Sequence, residues 1–166
     1  RSAVDLSTPD DADALAIRAL FGNTRWASLA TCNADSSPNL SQIAYAVDDA
    51  TPALILHLSM LAQHTRNLLE RPSCAVLVTQ PDDGRDDPQT LVRMSVEGDA
   101  AVVGPSASEF ERLRSLYLER LPSAEPRFDF GDFRLIRITL RAAHYVGGFA
   151  RAHRVGSAQL LALLAH

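Results

Sequence analysis

Between Ala53 and Thr79 the chain reads ALILHLSMLAQHTRNLLERPSCAVLVT, a strand, a polar elbow, a short helix and a second strand in quick succession. Leu54, Leu56 and Leu58 alternate with His57 and Ser59, the two-residue period of a pleated strand. A helical stretch begins near Ala62 and stops before Pro72, which cannot continue it. Gln63, His64, Thr65 and Arg66 therefore occupy the first helical turn. Backbone N–H groups there have no intrahelical acceptor, and the positive end of the helix dipole adds to them, so the elbow favours an anion such as a phosphate. The same residue types also serve as plain caps at many strand-to-helix junctions.

The flanking sequence places this unit in a mainly β chain. A first helix is predicted over Pro9 to Leu20, with Thr8 as cap, aspartates in its first turn and Gly22-Asn23 at its end. Strand signals follow at Trp26 to Cys32, Leu40 to Val47 and Ala53 to Ser59, joined by polar turns, which reads as an antiparallel meander. After the elbow helix come a strand from Cys74 to Thr79, an acidic turn at residues 81–88 and a long strand from Thr90 to Val103, with Gly98 marking a bulge. Ser106 to Leu121 has helical spacing, with Phe110, Leu113, Leu116 and Tyr117 on one face, and Pro122 stops it. A polar, proline-containing loop leads to strand material at Phe133 to Ile138 and His144 to Val146, broken by Gly147-Gly148. About six strands with helices at the start, middle and end indicate a closed or nearly closed antiparallel barrel with peripheral helices. No GxGxxG follows a strand, so a dinucleotide-binding parallel sheet is excluded. Residues 1–154 read as one domain. Residues 155–166 form a short helix whose Leu160, Leu161 and Leu164 call for a partner chain or a further domain to dock on.

Composition narrows the function classes. The formal net charge of −4 argues against a nucleic-acid partner, because the arginines are scattered between acids instead of forming a basic face. The longest apolar runs are strand-sized, so no membrane span is expected, and RSAVDLSTPDD lacks the basic-then-apolar pattern of a signal peptide. A cytoplasmic location is expected. Cys32 and Cys74 sit in apolar runs without CxxC spacing, which predicts buried free thiols and no zinc site. Nothing in the order or spacing of Ser, His and acidic residues signals a hydrolase.

Four segments together carry a family resemblance: WASLAT at residues 26–31, PNLSQIAYAVD at 38–48, LSMLAQHTRNLLERP at 58–72 and HYVGGFARAH at 144–153. They resemble the FMN-binding split-barrel superfamily, the group that includes pyridoxine/pyridoxamine 5′-phosphate oxidases, and within it HTRNL with VGGFARA looks most like the haem-utilisation branch. The resemblance implies a split β-barrel flavoprotein, a homodimer with FMN in the groove between subunits, and an oxidoreductase acting on a small-molecule substrate. It places the FMN phosphate against Ser41, Gln63, His64 and Thr65, where the family usually has Arg and Lys, with Arg66 or Arg93 able to restore charge by turning inward. Ser59 falls at the polar edge of the flavin and Tyr145 against its ring. Arg151 and His153 match the oxidases' Arg-x-His contact to substrate, while the remaining substrate-phosphate contacts are not recognisable.

Two other functions stay open on the same fold. One is haem binding or degradation, with His153 or His144 on the iron. The other is a non-enzymatic flavin-binding interaction module. His57 shares strand parity with Ile55, which suits a packed or interface histidine, and Phe128, Phe130 and Phe133 read first as a core or dimer contact.

Overall fold

The computed structural model describes residues 9–149 and 151–165. Helix α1 (Asp11–Asn23) starts two residues later than expected, because the Asp10 carboxylate caps it by accepting the Asp13 N–H at 2.8 Å. Thr8, read as the cap, lies outside the described residues. Strands β1 (Trp26–Cys32) and β2 (Pro38–Ala44) form an antiparallel hairpin. The second strand does not run on to Val47. It stops before Tyr45, whose buried side chain is tied to the Thr24 hydroxyl at 2.8 Å and whose N–H reaches the Arg25 carbonyl. The chain bends there and resumes as β3 (Ala46–Asp48), which pairs with β4 (Ala53–Ser59).

The remaining elements are α2 (Gln63–Glu70), β5 (Ser73–Thr79), β6 (Arg93–Val103), α3 (Phe110–Arg120), β7 (Phe133–Val146), β8 (Ala152–Gly156) and α4 (Ser157–Leu164). The sheet order is β2-β1-β5-β6-β7-β4-β3, with β8 added on β7. This corrects the expected meander, since β2 and β4 are not neighbours. With only Tyr45 between them, β2 and β3 make the two ends of the sheet one piece of chain, and the sheet curls into a barrel. Gly98 behaves as predicted: the β6–β7 register shifts between Glu97 and Gly98, and a Cβ at Gly98 would run into the Thr139 carbonyl.

Several boundaries also move. A 3-10 turn at Pro88–Thr90 delays β6, and α3 begins at Phe110 instead of Ser106. The polar loop after Pro122 is wound into 3-10 turns as far as Asp129, and β7 is one uninterrupted strand.

Alternate residues of the strands point inward to a core that includes Leu29, Ile43, Leu56, Val76, Met94, Val96 and Ile138. A second cluster lies on the opposite face of β4 and β7, where Ile55 and Leu135 pack under Leu113, Tyr117 and Ala124. Both faces of β4 are thus covered, and Ala53 through Leu58 are all buried. Helix α4 buries Leu160, Leu163 and Leu164 in the chain's own core, leaving Leu161 exposed, and Arg18 donates to the Leu163 and Ala162 carbonyls at 3.2 and 3.3 Å. Among the described residues no helix is long and apolar enough to cross a membrane.

Candidate functional site

The elbow is built by Ser59, Asp132 and the start of α2. The Ser59 hydroxyl donates to Asp132 Oδ2 at 2.7 Å and accepts the Leu61 N–H at 3.1 Å, while the Met60 N–H reaches the Asp132 carbonyl at 2.6 Å. Ser59 therefore shapes the turn with its own hydrogen bonds already made. Ala62, at the cap position of α2, has no side-chain acceptor, so the N–H groups of Gln63, His64 and Thr65 meet neither a helical carbonyl nor a cap. Further along the helix, the buried Asn67 amide donates to the Thr31 hydroxyl at 3.0 Å and to Asn33 Oδ1 at 2.9 Å, which pins α2 to β1. Asn67 was not singled out from sequence; its spacing of four from Gln63, which donates to it at 2.9 Å, was the available signal.

Two hydroxyls among the expected site residues are unusual. Among the described residues four buried side-chain polar atoms lack a hydrogen bond, and Ser41 Oγ and Thr65 Oγ1 are two of them. Ser41 lies on β2 with the inward parity of Ile43, and Thr65, 0 % exposed, lies on the first turn of α2, which packs against β1, β2 and β6. A buried hydroxyl without a partner costs free energy, so its retention points to a group that completes it. His64 is half-buried, and burial holds its pKa below the ordinary value, leaving a neutral imidazole at pH 7. Arg66 folds back on the elbow, donating to the Leu61 carbonyl and to Gln63 Oε1, both at 2.8 Å, while Glu70 pairs with Arg71.

Arg93 does not turn inward. Its neighbour Met94 takes the core position, which sends Arg93 to the outer face, where it donates to the carbonyls of Gln89 and Leu91. Trp26, Leu40 and Leu77 share that face: Leu40 pairs with Ala30 and Leu77 with Ser28, both in outward phase with Trp26, and all three are exposed.

The C-terminal residues form a separate cluster. Tyr145, expected against a flavin ring, is buried in the core and stacked parallel to His153 with centroids 6.1 Å apart. Burial, together with the Asp13 charge, pushes its phenol up to about 12. A Cβ at Gly147 would collide with that phenol, so the first glycine of the break is required by close approach. Arg151 and His153 meet Asp13 of α1, one of the aspartates expected in the first turn of that helix.

His57 proves to be a packed histidine. It stacks on Phe128 at 3.8 Å, with Phe133 and Tyr117 alongside, and burial, reinforced by the Arg127 charge, lowers its pKa to about 4. Phe130 remains exposed beside Phe133. Among the described residues no cluster of His, Cys, Asp and Glu is arranged to hold a metal ion.

The profile of the pyridoxamine 5′-phosphate oxidase family matches residues 15–147. The chloroplastic non-canonical haem oxygenase HOZ of Arabidopsis thaliana is 38% identical over 116 residues, covering 69% of this chain and 33% of that protein. A haem binding protein from Mycobacterium smegmatis superposes with a TM-score of 0.81 at 24% identity, over 94% of this chain and 62% of that one. HutZ, the haem storage protein from Vibrio cholerae, superposes with a TM-score of 0.69 at 19% identity, over 76% of this chain and 89% of that one. The chain thus spans 33% of the curated relative it matches and 62% of the Mycobacterium structure. At these identities the solved structures establish the split-barrel fold.

Proposed function

The chain belongs to the pyridoxamine 5′-phosphate oxidase family, and from that premise we propose that it is an FMN-binding oxidoreductase of the cytoplasm, acting as a homodimer on a small-molecule substrate. The observation that carries this reading is the pair of buried, unpartnered hydroxyls, Ser41 Oγ on β2 and Thr65 Oγ1 on the first turn of the uncapped helix α2 that packs against β2. A phosphate ester is an acceptor of the kind these donors lack, and it needs no fixed Arg or Lys to be held by hydroxyl and backbone donors. Asn67 and the Ser59–Asp132 bond keep the elbow rigid, and neutral His64 adds a hydrogen bond without adding charge. FMN, when bound, supplies the electron chemistry, so the protein needs no strong acid or base of its own. The uncovered outer face carrying Trp26, Leu40 and Leu77 suits a second copy of the chain, and would bring Arg93 to the boundary between copies. Cys32 and Cys74 are free thiols, as a reducing compartment keeps them.

A second reading, haem binding or degradation, is favoured by the 38% identity to the haem oxygenase HOZ. It requires an iron ligand. Among the described histidines His57 is enclosed by aromatic rings, which leaves His64, His144 and His153 as candidates, the last with Nε2 held by Asp13 at 2.9 Å in the way a carboxylate commonly orients a ligating imidazole. Titration of the purified chain with FMN and, separately, with haemin decides between the two. Saturable quenching of flavin fluorescence that weakens in Ser41→Ala supports the FMN reading. A saturable Soret change that disappears in His153→Ala, His144→Ala or His64→Ala, without flavin uptake, would replace it with the haem reading. Tight flavin uptake with no reduction by any donor would leave a non-enzymatic binding module.

A further inference from the structure

Asp13 is 2 % exposed, and three side chains of the β7–β8 hairpin converge on its carboxylate. Arg151 Nη2 forms an ion pair with Oδ1 at 2.8 Å, although that oxygen accepts no well-aligned hydrogen bond, His153 Nε2 lies 2.9 Å from Oδ2, and the buried Tyr145 phenol is close enough for the Asp13 charge to help raise its pKa. Asp10, the cap of α1, adds a contact to Arg151 at 3.2 Å. A guanidinium, an imidazole and a phenol make a donor set suited to a small anion, and Arg151 and His153 are the pair that the family resemblance assigns to substrate. In this chain the anion they hold is their own.

We propose that Asp13 is a specificity-determining residue: it fills the Arg151–His153 anion site from within the chain and so turns away phosphate-bearing substrates, leaving the site to substrates without an anionic group at that end. Two effects act together. The donors that would bind a phosphate are already engaged, and a second anion brought beside a buried carboxylate meets like charge in a poorly screened place. The buried network is also costly to assemble, since desolvating a carboxylate and its partners offsets much of their attraction, so its presence calls for a role other than stability alone. The inference rests on the family reading for the place of Arg151 and His153, but its test does not need flavin.

The probe is pyridoxamine 5′-phosphate, with unphosphorylated pyridoxamine as control, titrated by calorimetry into the flavin-free full chain. Wild type is expected to bind neither saturably. Asp13→Ser, which removes the charge and vacates its space, is expected to bind the phosphate ester about 10- to 100-fold more tightly than wild type, with no gain for pyridoxamine. Asp13→Asn, neutral but still filling the space, is expected to fall between them, and Arg151→Ala added to Asp13→Ser is expected to abolish the gain. Equal phosphate-ester binding by wild type and Asp13→Ser would overturn the proposal, as would the absence of any gain in the Asn variant should the Ser variant not fold. Failure of FMN to bind the wild-type chain would sink the oxidoreductase reading while leaving this comparison intact.

Discussion

Replacing Thr65 by Val should stabilise the flavin-free chain while weakening FMN binding. The Thr65 side chain is fully buried and its hydroxyl has no partner. Burying an unpaired hydroxyl costs about 1–3 kcal/mol. Valine keeps the β-branched shape and puts a methyl where the hydroxyl was, so the flavin-free chain should gain about 1 kcal/mol, a rise of roughly 2–4 °C in Tm for a chain of this size. The bound state moves the other way. A hydrogen bond to a charged phosphate is worth about 1.5–3 kcal/mol, so its loss weakens FMN about 10- to 100-fold. Thermal melts with and without FMN read both effects at once, because the flavin-induced rise in Tm shrinks as the dissociation constant grows. A Val variant whose flavin-free form melts lower than wild type, or whose FMN affinity is unchanged, would refute the reasoning and make the hydroxyl a structural group.

Two further perturbations test the surrounding electrostatics. Asp48 is fully buried and takes Arg112 in a bidentate pair at 2.8 and 2.9 Å, with the Ala50 N–H and the Thr51 hydroxyl completing it. Burial is the largest single influence and pushes this carboxyl up, but those hydrogen bonds together hold it below the ordinary value. Its contribution to stability is therefore present above the unfolded carboxylate range and is lost as pH falls through the lowered folded value. Arg112→Met should cost about 2–3 kcal/mol at pH 7, less than a fully buried pair because the arginine is 44% exposed, and should flatten the acid limb in urea melts. His57, held near 4, stays neutral in the fold while the unfolded chain takes up a proton below its ordinary value of 6.5, so stability falls between those values as pH drops. His57→Phe should remove that loss, up to about 3 kcal/mol, leaving stability flat from pH 6.5 to 4 apart from carboxylate effects; an unchanged slope would show that the imidazole reaches water.

Local periodicity made most of the elements legible. Strands β1 and β4 begin and end where alternation and turn residues placed them, and the elbow helix lies within a residue or so of its expected bounds. The bend at Tyr45 was not legible, because no Gly or Pro marks it and its cause is a contact with Thr24 in another element. Strand β8 carries little apolar signal, with Val155 alone buried along it. The same contrast divides the site. Ser41 and Thr65 could be singled out by residue type and position, and the fold leaves both hydroxyls buried without a partner. Asp13, by contrast, meets Arg151 and His153 from the far end of the chain, and only the fold brings those three together. The face that Arg93 occupies follows from strand parity, since Met94 takes the neighbouring core position.

The most direct test of a phosphate site at the elbow is the ratio of affinities for FMN and riboflavin, which share the ring and differ in the phosphate, measured by fluorescence quenching on one preparation of the full chain. The account predicts FMN tighter by about 100-fold or more, from two hydroxyls and the helix N–H groups acting on one charged group. Equal affinities would contradict it, and so would uptake of neither flavin by a chain that binds haemin saturably.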